Sequence, residues 1–190
     1  MELILASGSP RRREMLDLIG LKYSVRIGQT DESIQPCAPE EMVVTLAARK
    51  ARTVKAAAPG CCVIGADTIV YLDGQIIGKP RDPADAVRIL RSLSGRTHTV
   101  YTGVCIATDE EERCFYEATY VTFAQLSDDE IQSYVASGEP MDKAGAYGVQ
   151  GIAAVFVEKI EGCYFNVIGL PVPTLYRNLA ELHILPQWRK

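Results

Sequence analysis

The length and charge of the chain already limit what kind of protein it is. It has 190 residues, of which 47% are hydrophobic and 23% charged, enough for one domain or for two lobes sharing a core. Its net charge of −4 argues against general binding to nucleic acids or anionic membranes. No apolar stretch approaches the ~20 residues of a membrane-spanning helix. The six cysteines form no C-x-x-C pair, so we expect reduced thiols and a cytoplasmic location.

The first third of the chain predicts strands that alternate with helices. A buried strand at 3–7 leads into a helix with Ser9 as its N-cap and Gly20 as its left-handed stop. A second strand at 23–27 is followed by a long amphipathic helix at 39–58.

The next segment predicts a hairpin. An apolar strand at 62–66 runs into Asp67, and two further short strands at 69–72 and 75–77 follow. They flank Asp73-Gly74, a strong two-residue turn signal.

Another helix and two long strands come after this hairpin. The helix opens at Asp82-Pro83, and the strands cover roughly 97–107 and 114–124. Ser127 and Glu130 then have the spacing of a capping box, which predicts another short helix.

The end of the chain predicts a last hairpin, from strands at 155–160 and 163–168, and a helix after Pro173. Early alternation with helices and later hairpins indicate a mixed sheet with helices on both sides. We therefore expect one α/β domain that spans residues 1–190.

Polar residues that the fold does not need gather at the joints between these elements. The first joint, Ser7-Gly8-Ser9-Pro10-Arg11-Arg12-Arg13, is a turn of small residues followed by a helix start. Free N–H groups and the helix dipole favour an anion at such a turn. Cations at that end oppose the dipole, which indicates a strongly negative ligand. A solvated basic turn is the alternative.

The second and third joints surround the long helix. Asp31-Glu32 precedes it, and carboxylates next to phosphates offer the hard oxygen ligands that Mg²⁺ requires. Carboxylates in a loop are also commonly just solvated. Lys50 lies close to the apolar stripe of the helix, where a lysine can snorkel to solvent without any further role.

The fourth joint is Gly65-Ala66-Asp67-Thr68, an aspartate at the end of a buried strand. Such a carboxylate is costly unless a charge meets it, and ligands of α/β sheets collect at strand ends. Asp67 could ligate a metal or take a proton from an attacking water, or it could simply cap the next turn. The predicted hairpin closes at Gly78-Lys79-Pro80-Arg81, which brings further cations.

The fifth joint runs from Asp142 to Gly151 and contains three glycines within seven residues. This composition suits a backbone that approaches a ligand closely. Gln150 offers an amide donor and acceptor that could read the edge of a base. Together, the five joints match a metal-bound triphosphate better than any other common ligand.

With these motifs, the sequence resembles the Maf family of nucleoside triphosphate pyrophosphatases. The matching strings run in the family's order over nearly the whole chain: Ala6-Ser7-Gly8-Ser9-Pro10-Arg11-Arg12, Asp31-Glu32, Ala48-Arg49-Lys50-Ala51, Gly65-Ala66-Asp67-Thr68, Gly78-Lys79-Pro80, Leu93-Ser94-Gly95, Asp142-Lys143-Ala144-Gly145-Ala146-Tyr147-Gly148 and Gln150-Gly151.

The resemblance implies an elongated α/β fold of two lobes around a central cleft, similar to inosine triphosphate pyrophosphatases. It also implies a divalent metal ion (Mg²⁺, Mn²⁺ or Co²⁺), a cytoplasmic location and a homodimer. Thr68 and Gln150 resemble the branch that acts on dTTP and UTP, and with Arg11 they correspond to the positions that set base preference. Asp67 corresponds to the general base.

The resulting hypothesis is attack of water on the triphosphate, which releases pyrophosphate. Asp67 orients or deprotonates the water, and Asp67 and Glu32 hold the metal. Residues expected to bind phosphate are Ser7, Arg12, Lys50, Lys79 and Lys143.

Two other functions stay open at this stage. By the same resemblance, the chain could be a nucleotide-binding regulator of septation and cell division in which hydrolysis is incidental. It could also be a housekeeping hydrolase of modified nucleotides.

Overall fold

The computed structural model describes residues 1–189 as a mixed sheet with helices. The strands are β1 Leu3–Leu5, β2 Ser24–Val25, β3 Cys62–Leu72, β4 Gln75–Ile77, β5 Thr97–Ala107, β6 Glu112–Phe123 and β7 Val157–Glu161. The α-helices are α1 Pro10–Leu18, α2 Pro39–Lys55, α3 Pro83–Leu93, α4 Asp128–Ala136, α5 Tyr164–Ile168 and α6 Val172–Glu181. Short 3₁₀ turns cover Glu139–Asp142, Ala144–Ala146, Ile152–Phe156 and Gln187–Arg189.

The sheet combines parallel and antiparallel pairing, as predicted. Its strand order is β2-β1-β3-β5-β6-β7, with β4 paired to β3. β1 is parallel to both β2 and β3, whereas β4 is antiparallel to β3 and β7 to β6. The predicted α/β class is therefore confirmed. No helix among the described residues is long and apolar enough to cross a membrane.

The chain divides into two compact units. The first unit contains residues 1–67, 102–117 and the segment from Gly169 onwards, and the second contains 68–101 and 118–168. Strands β3, β5 and β6 therefore contribute residues to both units. The expected cleft between two lobes stays a prediction.

In the first unit, helix α2 packs directly on the sheet through two glycines. A Cβ at Gly65 of β3 would overlap the carbonyl oxygen of Ala47 and lie only 2.6 Å from the Ala51 nitrogen. A Cβ at Gly103 of β5 would likewise overlap the Val43 carbonyl. Residues 43, 47 and 51 lie on one face of α2, so the missing side chains let the helix backbone lie on β3 and β5.

The second unit has its own apolar core under α3 and α4, with large residues such as Leu90, Leu93 and Phe123 almost fully buried. Local signals place its helices as predicted. Asp82 accepts the Asp85 backbone N–H at 2.7 Å at the start of α3. The capping box of Ser127 and Glu130 is present at α4.

The hairpin between β3 and β4 turns where the sequence predicts it. Asp73 and Gly74 have φ angles of 49° and 81°. Positive φ at both central residues is the signature of a type I′ turn, which matches the twist of the flanking strands.

Two predicted elements are wrong. β3 does not end at Asp67 but continues to Leu72, so Asp67 lies within the strand and does not cap a turn. Residues 164–168 form helix α5 and not a strand. The amide of the fully buried Asn166 donates to the Val100 carbonyl at 3.0 Å and to the Thr119 hydroxyl at 2.9 Å, a long-range arrangement that no local pattern indicates.

Two smaller expectations also need correction. Ser9 precedes α1, but its side chain makes no capping hydrogen bond. Its backbone N–H instead donates to the Ser7 hydroxyl at 3.2 Å. Cys105 and Cys114, on the neighbouring strands β5 and β6, form a disulfide, so the expectation of reduced thiols is wrong for this pair.

The contact between α2 and β3 predicts that Gly65→Ala is strongly destabilising. The added methyl group collides with helix backbone, which cannot rotate away, and overpacking of this kind costs about 3 kcal/mol. For a chain of this length, such a loss lowers the thermal midpoint by roughly 6–12 °C.

Differential scanning calorimetry of the variant measures this shift. Gly78→Ala is the matched control, because Gly78 has no atom within 4 Å of an added Cβ and no positive φ. Equal midpoints for the two variants would contradict the close packing of α2 on β3.

Candidate active site

The turn between β1 and α1 holds a buried arginine. Arg12 is only 9% exposed, and its Nε donates to the Gly169 carbonyl at 2.8 Å while Nη1 donates to the Ser7 hydroxyl at 3.0 Å. Burial lowers the pKa of Arg12, and the carboxylates of Asp67 and Glu32 act in the opposite direction. A guanidinium keeps its charge in proteins. Arg12 is therefore a fixed positive charge that feels both carboxylates.

Those two carboxylates converge on one lysine. The Lys50 ammonium lies 2.6 Å from Asp67 Oδ1 and 2.8 Å from Glu32 Oε1. The Lys50 and Asp67 side chains are 19% and 15% exposed, whereas Glu32 is 63% exposed. Lys50 thus does not snorkel to solvent but neutralises a largely buried carboxylate, as the cost of burying an unpaired charge requires.

The convergence follows from the packing of α2. Gly65 lets the helix backbone touch β3 at Ala51, and Lys50 is the preceding residue on the helix. Asp67 lies two residues beyond Gly65, so its side chain is on the same face of β3. The absence of a side chain at Gly65 therefore brings the Lys50 ammonium close to the Asp67 carboxylate.

A cavity of about 200 Å³ opens beside this cluster. Its lining residues belong to the β1–α1 turn, the segment after β2 and the carboxylate-lysine cluster: Ala6, Ser7, Gly8, Ile27, Gly28, Thr30, Glu32 and Lys50. Pockets that enclose a whole ligand are usually about 300–1,000 Å³. Within the first unit, this cavity accommodates only part of a nucleotide-sized ligand.

The donor set fits a hard divalent cation. Two carboxylates that share one ammonium already converge on a single centre of positive charge, and carboxylate oxygens are what Mg²⁺ prefers. Two protein ligands are also usual for Mg²⁺, which completes its shell with water and phosphate oxygens. The one group of three metal-ligating side chains within residues 1–189 is elsewhere, at Cys105, Glu112 and Cys114, and its thiols are joined as a disulfide.

The glycine-rich loop lies in the second unit and meets the Gly78-Lys79-Pro80 segment there. The Gly145 N–H donates to the Gly78 carbonyl at 3.0 Å, and Gly145 has a φ of 72° with Val70 only 2.8 Å from an added Cβ. Lys143 donates to the Glu139 carbonyl at 2.6 Å and pairs with Asp142. The backbone hydrogen bond thus joins the loop to the residue that precedes Lys79.

Comparison with known proteins assigns the chain to a family. Residues 2–182 match the sequence profile of the family described as "Maf-like protein". The chain belongs to the Maf family. The resemblance seen in the sequence is thereby confirmed over nearly its whole length.

Close relatives within the Maf family carry a common name. The protein of Bacillus pumilus (strain SAFR-032), named dTTP/UTP pyrophosphatase, is 47% identical over 97% of this chain and 98% of its own length. A dTTP/UTP pyrophosphatase of Symbiobacterium thermophilum is 51% identical over 95% of this chain and 93% of its own. Among solved structures, the Ham1 protein of Staphylococcus aureus has a TM-score of 0.54 at 14% identity, covering 96% of this chain and 100% of that one. The likeness to the Ham1 structure shows that the two proteins share a fold.

The structure brings together one set of the residues singled out from the sequence. The first unit brings five of them together: Ser7, Arg12, Glu32, Lys50 and Asp67. Arg11 adjoins this set, and its charge contributes to lowering the pKa of Arg12. Thr68 follows Asp67 on β3, and Gln150 is an exposed residue of the second unit.

Two residues whose contacts the sequence does not indicate support the glycine-rich loop of this Maf protein. The Glu139 carboxylate accepts the Ile152 N–H at 3.0 Å and the Tyr134 hydroxyl at 3.1 Å. His98 forms a buried 2.7 Å hydrogen bond with the hydroxyl of Tyr147 in the loop. Both contacts join segments far apart or irregular in structure, so no spacing in the sequence could have indicated them.

The buried His98 predicts a specific dependence of stability on pH. Burial lowers its pKa to about 4, below the ordinary value of about 6.5, so between these values the unfolded chain binds more protons than the folded one. The stabilisation that comes from keeping His98 neutral is complete above pH 6.5 and is lost as the pH falls towards 4. At pH 5 the loss is about 2 kcal/mol.

Urea unfolding at pH 7.5 and pH 5 measures this loss, with His98→Gln as the comparison. Glutamine does not titrate but can still hydrogen-bond to Tyr147, so the variant should lose about 2 kcal/mol less than the unsubstituted chain between the two pH values. Parallel pH dependence of the two proteins would rule out a neutral, buried His98.

Proposed function

We propose that this protein hydrolyses dTTP and UTP to the monophosphate and pyrophosphate with the help of a divalent cation. The observation that carries the proposal is the sharing of the Lys50 ammonium by Asp67 and Glu32 next to the buried Arg12. The relatives named dTTP/UTP pyrophosphatase support the choice of substrates.

The mechanism follows from the charges at the site. Asp67 is the proposed general base, because its carboxylate is mostly buried and fixed by Lys50. Asp67 and Glu32 would hold the cation, which when bound offsets charge on the phosphate oxygens. Arg12 is held by Ser7 and Gly169, so it is oriented before substrate arrives, and such preorganised charge supplies most of the catalysis in phosphoryl chemistry.

The remaining assignments are proposed on the family resemblance. Lys79 and Lys143 bind phosphate, and Arg11, Thr68 and Gln150 set base preference. The homodimer, the cytoplasmic location and the lack of nucleic-acid partners stay predictions from the sequence.

Asp67→Asn tests the general base. The amide keeps an oxygen that can accept from Lys50 but cannot take a proton, so the turnover number should fall by ~10²–10⁴ while nucleotide still binds. Rapid-quench kinetics with dTTP measures turnover, and calorimetric titration with a non-hydrolysable analogue measures binding.

Asp73→Asn is the matched control on the same strand pair. Asp73 lies in the turn between β3 and β4 and forms an exposed ion pair with Arg96. Asparagine tolerates the positive φ of this position, so turnover of the variant should be unchanged. Near-normal turnover in Asp67→Asn would remove Asp67 from the role of base.

A panel of nucleoside triphosphates with Mg²⁺, resolved by phosphorus NMR, tests the function itself. We expect dTTP and UTP to yield monophosphate and pyrophosphate much faster than ATP does. Gln150→Ala should lower the dTTP:ATP rate ratio by roughly 5–150-fold, because an unmatched polar group on the base costs about 1–3 kcal/mol.

Gln132→Ala on the exposed face of α4 is the control for that ratio. An unchanged ratio in Gln150→Ala would remove Gln150 from the specificity role. A protein that binds nucleotides but releases no pyrophosphate would contradict the enzymatic proposal and favour the regulatory alternative.

A further inference from the structure

Glu32 lies in a segment with no regular structure. Residues 28–38, between β2 and α2, form no helix or strand, and the Glu32 side chain is 63% exposed. Neither sheet pairing nor burial therefore fixes its carboxylate at the 2.8 Å that separates it from Lys50. The position of Glu32 depends on whatever holds the backbone around it.

Arg49 holds that backbone on both sides. Its Nη1 donates to the Asp31 carbonyl at 3.1 Å and to the Ser33 carbonyl at 2.6 Å, the residues immediately before and after Glu32. The Ser33 N–H in turn donates to Asp31 Oδ1 at 2.9 Å, which closes a tight turn around Glu32.

The same helix therefore fixes Glu32 twice. Arg49 bonds the backbone of the loop, and its neighbour Lys50 bonds the carboxylate. Both hydrogen bonds come from Nη1, whose two N–H groups the planar guanidinium holds in a fixed geometry, whereas a lysine ammonium is a point charge on a flexible stem.

We propose that Arg49 is a positioning residue that sets the approach of Glu32 to the divalent cation. The proposal rests on the proposed function, since that function assigns Glu32 to the cation. The side chain of Arg49 bonds the loop backbone, and its proposed effect passes through the carbonyls of Asp31 and Ser33. It belongs to the class of outer-shell partners that orient a metal ligand.

Mn²⁺ binding, measured by the electron paramagnetic resonance signal of the free ion, tests this role without any turnover. The protein is saturated with a dTTP analogue that carries a methylene group in place of the α,β-bridging oxygen. Arg49→Ala should raise the apparent Kd for Mn²⁺ about 10–100-fold, the usual effect of losing an outer-shell partner. Arg49→Lys should restore part of the affinity.

Arg52→Ala is the matched control on the same helix. Arg52 donates from Nε to the Glu112 carboxylate at 2.7 Å and, among the described residues, makes no hydrogen bond to residues 31–33, so its loss should leave the Kd unchanged. The thermal midpoint of each variant is recorded as well. If Arg49→Ala does not fold, Arg49→Lys is used for the test instead. A folded Arg49→Lys variant whose Kd for Mn²⁺ equals that of the unsubstituted protein overturns the proposal.

A double-mutant cycle with Glu32→Gln shows whether Arg49 acts through Glu32. If it does, Glu32→Gln weakens Mn²⁺ binding and adding Arg49→Ala weakens it no further. Independent, multiplying losses would overturn the proposal while leaving Glu32 as a ligand. An unchanged Kd in Glu32→Gln alone would instead remove Glu32 from the cation, and the positioning role would fall with that part of the proposed function.

Discussion

The close approach of α2 to β3 at Gly65 is the constraint on which the first unit depends. Because no side chain separates them, the helix backbone at Ala47 and Ala51 rests on the strand. Lys50 is thereby carried to Asp67, two residues along the strand, where the two charges pair at 2.6 Å. Packing and chemistry are coupled at this point, since any side chain that lifts α2 from the sheet also separates the ammonium from the carboxylate.

Two cationic and two anionic side chains face one another at the centre of the candidate site. Arg12 and Lys50 stand against Asp67 and Glu32, so neither the buried guanidinium nor the largely buried Asp67 carboxylate is left without an opposite charge. Under the proposed function, Asp67 and Glu32 would hold a divalent cation, and the Lys50 ammonium would then pair with phosphate oxygens. The site would then exchange one set of ion pairs for another, which avoids the cost of exposing an unpaired charge to a low dielectric.

Local signals in the sequence were sufficient for most elements, and contacts between distant segments account for the failures. The Asp73-Gly74 turn is encoded within a few residues, and it forms where predicted. Helix α5 was not predicted because the hydrogen bonds of its buried Asn166 are made to two distant strands, at Val100 of β5 and Thr119 of β6. At the site, residue types at the joints indicated the carboxylates and cations. The clamp of Arg49 on two loop carbonyls involves backbone groups, which carry no sequence signal.

A crystal structure with Mn²⁺ and a non-hydrolysable dTTP analogue, in which anomalous scattering locates the metal, tests most directly whether Asp67 and Glu32 bind the cation. We expect one Mn²⁺ bound to carboxylate oxygens of both Asp67 and Glu32, with the Lys50 ammonium moved onto a phosphate oxygen. A metal bound elsewhere, with Lys50 still paired to Asp67 and the nucleotide away from Arg12, would contradict this assignment.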